Sequence, residues 1–190
     1  MQKWKKSRVC EMKVIAVEGR NTSGKDELMR YLLENCDMPI VSAGDVAREN
    51  LHEISQQMIR KHGEDFFMQR LIEENEKADW DLVGISGVRT PADVKSLKDQ
   101  FGGNFLLVHV KVGDPHIRFE RSKARRAKRD PQSYADFLEQ DRSENELFRL
   151  DQTIQRSDHT ILNNSDLEVF HKRIENEFIN GILKGEGCSL

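Results

Sequence analysis

The apolar positions of this chain come first as short continuous runs and then as helical stripes, in repeated alternation. Val14-Ile15-Ala16-Val17 is an unbroken apolar run inside 13–18, the pattern of a strand covered on both faces. A polar, glycine-bounded stretch follows. From about 24 to 35 the period becomes helical, with Leu28, Tyr31 and Leu32 on one face. Residues 39–41 predict a second strand, 44–61 and 64–77 two helices parted at His62-Gly63, and 81–85 a third strand. A short helix over 91–101 has Pro91 in its first turn and a stop at Gly102-Gly103. The fourth strand, 105–112, is the strongest. Asp114-Pro115 opens a long helix that runs into the basic stretch 118–129 and breaks at Asp130-Pro131. Ser133 caps a further helix to about 150. A fifth strand spans 159–162, and the last helix aligns Leu167, Phe170, Ile174, Phe178 and Ile182.

Strands and helices in alternation with short connections predict a three-layer α/β fold with a five-stranded parallel sheet and right-handed crossovers. No linker or repeat divides it. Residues 12–190 read as one domain, with 1–11 as an N-terminal extension.

Composition changes this picture little. The 190 residues are 37% hydrophobic and 33% charged, polar for a globular chain and consistent with a helical insert standing off the body. The net charge of -3 gives no global field for nucleic acid. No stretch approaches the length of a membrane span. Cys10, Cys36 and Cys188 are odd in number and widely spaced, which reads as reduced thiols in a cytoplasmic protein. The six histidines lack ligand spacing and read as structural or surface residues.

The chemistry begins at Gly19-Arg20-Asn21-Thr22-Ser23-Gly24-Lys25. A Gly-x4-Gly-Lys stretch directly after a strand and directly before a helix is the context of a triphosphate loop. Glycines let successive N–H groups turn inward on phosphate oxygens. The helix start adds its positive end, and Lys25 adds a point charge for the β and γ phosphates. After the lysine stands Asp26, where such loops have a Ser or Thr on Mg²⁺. At the end of the third strand stands Ser86, where a carboxylate is usual. The two positions read as an exchange, with Asp26 and Ser86 together facing the metal. The alternative is that Asp26 simply favours the helix N-terminus.

Over about residues 12–180 the chain resembles the nucleoside-monophosphate-kinase branch of P-loop proteins, especially adenylate-kinase-related and dephospho-CoA-kinase-like proteins. Val17 to Lys25 carries this most strongly. Val41-Ser42-Ala43-Gly44-Asp45-Val46-Ala47-Arg48 is similar to the stretch that opens their acceptor region. Ile85-Ser86-Gly87-Val88-Arg89 is similar to the one whose arginine holds acceptor phosphate. Asp158 to Asn163 is similar to the strand and loop beside the donor base. The resemblance implies a P-loop NTPase fold, with 44–80 as acceptor-binding helices and about 118–145 as a helical lid. It implies ATP and Mg²⁺ as donor and cofactor. It places Arg48 and Arg89 on acceptor phosphate, Arg121 and Asn163 by the donor base, and lid arginines (Arg125, Arg126 or Arg129, and Arg142 reaching back) on the transferring group.

Asp45 is the residue on which the reaction turns. It is structural if the acceptor is a monophosphate and a proton acceptor if the acceptor is a hydroxyl. Three readings follow: a kinase of (deoxy)nucleoside monophosphates, a kinase of a hydroxyl on dephospho-CoA or on a nucleotide in DNA or RNA, and a non-catalytic nucleotide-binding switch. The partners expected are a nucleoside triphosphate and a phosphate-bearing acceptor, with nucleic acid not favoured, no membrane, and a monomer or homodimer.

Overall fold

The computed structural model describes residues 12–42, 60–63, 65–75, 81–127, 130–184 and 188. Five strands form one parallel sheet: β1 (Lys13–Glu18), β2 (Ile40–Ser42), β3 (Leu82–Ser86), β4 (Phe105–Lys111) and β5 (His159–Leu162), in the order β2-β3-β1-β4-β5. β1 is central because it is apolar on both faces. Val14 and Ala16 pack into one core with Val83, Ile85, Val94, Leu97 and Leu107. Ile15 and Val17 pack into the other with Leu28, Leu32, Val108 and Phe178. Register pairs Val17 with both Ser86 and Val108, and Glu18 with His109. The carboxyl ends of three strands therefore open on one crevice, the place where open α/β sheets bind ligands.

The helices are α1 (Lys25–Asn35), α2 (Phe66–Asn75), α3 (Pro91–Phe101), α4 (Pro115–Arg125), α5 (Tyr134–Phe148), α6 (Leu150–Ile154) and α7 (Leu167–Arg173). α3 starts as its sequence dictates: Thr90 accepts from the Asp93 backbone and Asp93 returns the bond to the Thr90 backbone, a capping box followed by Pro91. Asp114 and Ser133 cap α4 and α5 by accepting from the His116 and Asp136 backbone N–H groups.

Two expectations change. The basic helix does not run to 129: α4 ends at Arg125, and Arg126 turns left-handed at φ 53°. Asp130 draws the chain back there, accepting from the Arg125 side chain and the Ala127 backbone. The last helix passes at Ile174 into a π-helical stretch to Leu183. Its wider turn brings Ile179 and Leu183 into the core, while Leu167 is left exposed.

The cysteine reading is also corrected. Cys36 and Cys188 form a disulfide across 152 residues of sequence. Cys36 sits at the end of α1 and Cys188 beyond the last helix, and the fold places these two ends together. Among the described residues no helix is long and apolar enough to cross a membrane. The N-terminal extension and residues 44–59 of the expected helix over 44–61, with Asp45 and Arg48, lie outside the described residues.

Candidate phosphate-transfer site

The loop 19–25 leaves β1 at the mouth of the crevice. Ser23 N–H donates to Arg20 O at 3.1 Å, closing a tight turn. Thr22 and Gly24 take positive φ, 57° and 99°. Gly24 is required twice over: its φ belongs to glycine, and a Cβ there would lie 2.2 Å from Asn163 Nδ2. At Gly19 a Cβ would lie 2.5 Å from Ser23 Oγ and 2.9 Å from Val110 O. A side chain at either position would collide with the residues that pack against the loop, so its tight turn requires glycine there.

Its carbonyls are held on the outside. Asn163 Nδ2 donates to Ser23 O at 2.8 Å. Arg121 Nη2 in turn bonds Asn163 at its backbone and side-chain oxygens, 3.1 Å each, and Ser165 O at 3.0 Å. No peptide here is cis. In a planar trans peptide the C=O and the following N–H point opposite ways. Holding Ser23 O outward therefore turns the Gly24 N–H into the hollow, the arrangement of an anion nest. Sequence placed Arg121 and Asn163 by the donor; their contacts here are with each other and with the loop.

Lys25 begins α1 and is half-buried, with Nζ 4.0 Å from Asp26 Oδ2. Burial pushes its ammonium below the usual lysine range. Asp26 and Glu144 oppose that shift, while Arg89 and Arg125 add to it. These charges come from separate elements, so the lysine lies where they converge.

Arg89 follows Gly87, whose φ is 88°. Its backbone N–H donates to Asp93 at 3.0 Å and its carbonyl accepts from Thr153 Oγ1 at 2.9 Å. The guanidinium lies 5.1 Å from the Phe148 ring centre and 3.7 Å from Glu144. Ser86 ends β3 and is half-buried, whereas the Asp26 side chain is 85% exposed at the start of α1. The loop suits a phosphate group by its inward amide and by the ammonium of Lys25. The hydroxyl–carboxylate pair of Ser86 and Asp26 is the donor chemistry of a hard cation such as Mg²⁺. Among the described residues no cluster of three metal-ligating side chains occurs.

The lid arginines separate. Arg125 pairs with the buried Asp130. Arg126 is exposed. Arg142, expected to reach back to the site, pairs instead with Glu139 at 2.6 Å and is 66% exposed. The residues of α5 that do face the loop and Arg89 are Asp141, Glu144 and Phe148, which lie on one helix face. Sequence reasoning missed them, and also the pair at the base of the loop, where Glu18 Oε1 lies 2.6 Å from His109 Nδ1 with both residues buried. The available signal was a charged residue directly after the unbroken apolar run 14–17 of a buried strand.

Sheet order, loop and lysine define the P-loop NTPase fold. Solved structures agree. TT1252 from Thermus thermophilus superposes with a TM-score of 0.62 at 16% identity, covering 90% of this chain and 98% of that one. Shikimate kinase from Bacteroides thetaiotaomicron gives 0.57 at 16%, covering 91% and 99%. A gluconokinase from Sinorhizobium meliloti gives 0.57 at 13%, covering 86% and 89%. At such identities the likeness is one of fold. No family model matches the chain.

The chain belongs to the UPF0200 family. It is 30% identical over 189 residues to a UPF0200 protein of Thermococcus onnurineus, covering 90% of this chain and 98% of that protein. It is 30% identical over 186 residues to one of Methanosarcina acetivorans, covering 91% and 97%. A UPF0200/UPF0201 protein of Archaeoglobus fulgidus is 31% identical over 180 residues, covering 87% of this chain and 55% of that protein's length.

Proposed function

We propose that this protein is an ATP-dependent phosphotransferase that moves the γ-phosphoryl group to a phosphate-bearing nucleotide, foremost a (deoxy)nucleoside monophosphate. One observation carries the reading. The P-loop lysine is half-buried where charges from β3's loop, α4 and α5 converge, and one of them is the cation of Arg89. A site that only stored a nucleotide would have less use for a second cation there.

In this reading the loop amides and Lys25 hold the donor's phosphates. Asn163 and Arg121 keep the loop in shape. Arg89, with Arg48 by resemblance, binds the acceptor's own phosphate. Asp26 and Ser86 would hold Mg²⁺, which spreads the charge of the phosphates when bound. A phosphate oxygen of a monophosphate acceptor needs no base, so Asp45 is structural in this reading. The shape neighbours named for hydroxyl-bearing substrates keep the second reading in view, a kinase of a hydroxyl on dephospho-CoA or on a nucleotide in nucleic acid, with Asp45 taking the proton.

The test is ATP consumption with Mg²⁺ across mononucleotides, dephospho-CoA and oligonucleotides. Turnover confined to monophosphates supports the proposal. Turnover with dephospho-CoA or oligonucleotides alone replaces it with the second reading. ATP binding without turnover on any acceptor leaves a non-catalytic switch.

A further inference from the structure

The outer side of the phosphate loop is gripped by a second set of residues, from α4, α5 and α6. Arg118 is 3% exposed, a depth at which a cation needs a partner. Its partner is Asp141, through Nη1 at 2.6 Å and Nη2 at 2.8 Å. The guanidinium plane is thereby fixed in direction. Phe137 packs against it at 5.1 Å. Arg118 Nη1 also reaches Asn21 O in the loop at 3.4 Å. The Thr22 hydroxyl sits between Asn21 O and Arg118 O, 2.7 Å from each. Asp141 further accepts from Arg20, the second loop residue, at 3.0 Å. Arg20 also pairs with the exposed Asp151 of α6, at 2.5 Å.

The trans-peptide geometry applies here as it does at Ser23. Asn21 O drawn outward to Arg118 turns the Thr22 N–H inward. Thr22 sits at φ 57°, a conformation a threonine adopts only when its surroundings impose it. Two clamps therefore orient two amides: Arg121–Asn163 for Gly24, and Arg118–Asp141 for Thr22.

We infer that Asp141 is a positioning residue for the phosphate loop: acting through Arg118, it presets the Asn21–Thr22 peptide with its N–H facing the phosphate site. The inference rests on the loop being a phosphate site, and it concerns binding. Asp141 touches neither donor nor acceptor. An asparagine in its place accepts through one oxygen only and lacks the charge, so it cannot hold the fork of Arg118 and Arg20 together.

The experiment measures ATP and inorganic pyrophosphate binding by calorimetry for the wild type, Asp141→Asn and Asp151→Asn, with amide NMR during pyrophosphate titration. Asp141→Asn is expected to weaken both ligands about tenfold or more, by analogy with the loss of one preset oxyanion donor. The Thr22 amide should lose its response to pyrophosphate while the Gly24 amide keeps it. Asp151→Asn should stay within about threefold of wild type, as expected of an exposed pair. Unchanged affinity in Asp141→Asn overturns the inference, as does equal loss of the Thr22 and Gly24 responses. An equal loss of affinity in Asp151→Asn also overturns it, because that is general loosening of α5 and α6. If Asp141→Asn fails to fold, Thr22 and Gly24 responses in Arg118→Lys, which keeps the charge without the fork, decide the matter on the same criterion. A wild type that binds neither ligand defeats the phosphate-site reading itself, a result distinct from these.

Discussion

Arg89 and Glu144 face each other at 3.7 Å across the gap between the β3 loop and α5. Glu144 also raises the proton affinity of Lys25, so one carboxylate serves two cations of the site. In the proposed function it occupies the place beside Arg89 that the acceptor's phosphate would take. Glu144→Gln should therefore tighten inorganic phosphate binding by about two- to fivefold, the range of a half-exposed ion pair. Calorimetry reads this directly. A loss of kcat by two orders of magnitude with unchanged binding would instead mark Glu144 as a proton acceptor.

Lys25 carries a cost that its phosphate partners would relieve. Its pKa in the fold lies below the ordinary 10.5, through burial first. Between those two values the unfolded chain holds more proton than the folded one, so stability rises with pH across that window. Below it the full penalty of the buried charge is present. Lys25→Met should then raise the melting temperature at pH 7 by a few degrees while abolishing ATP turnover, and its melting temperature should no longer climb in the alkaline window. A melting temperature below wild type at pH 7 would show that the lysine stabilises the empty fold.

The Cys36–Cys188 disulfide closes a ring across 152 residues. By loop-closure entropy such a link is worth about 4–5 kcal/mol at most. Reduction should lower the melting temperature, and Cys188→Ser should lower it equally and lose all response to reductant. Labelling that finds two free thiols at Cys36 and Cys188 in the purified native protein would remove the bond from the account.

Asp26 and Ser86 make the fourth prediction. If they hold the metal together, Asp26→Ala loses Mg²⁺-dependent turnover, and Asp26→Ala/Ser86→Asp regains part of it. Steady-state rates against Mg²⁺ concentration check this, and a double mutant as inactive as the single one counts against the pair.

The sheet was legible because its strands are short apolar runs between polar bounds. β1 and β5 fall on 13–18 and 159–162, and α3 on 91–101, where Thr90, Pro91 and Gly102 punctuate the chain. The loop was legible because glycine spacing is a local property. The rest of the site depends on helix phase. On α5 the arginine attracted attention by its charge, but Arg142 lies about 100° around the helix from Asp141 and faces solvent. Glu144 and Phe148 share the Asp141 face and meet Arg89. Only the packed position of α5 reveals which face is inward. The disulfide was hidden for a like reason, since 152 residues of separation carry no information on distance. The π-helical stretch from Ile174 broke a 3.6-residue pattern that continued on paper to Ile182.

The strand order has one further consequence. The phosphate loop leaves the central strand, Arg89 follows the strand on one side, and Asn163 follows the second strand on the other. With strands about 4.8 Å apart, the sheet works as a ruler about 14 Å long, graduated in strands. Whatever enters from the β3 side and whatever is gripped from the β5 side are kept at opposite ends of that scale and meet only over β1. The chemistry at one end of the scale can therefore change without retuning the other.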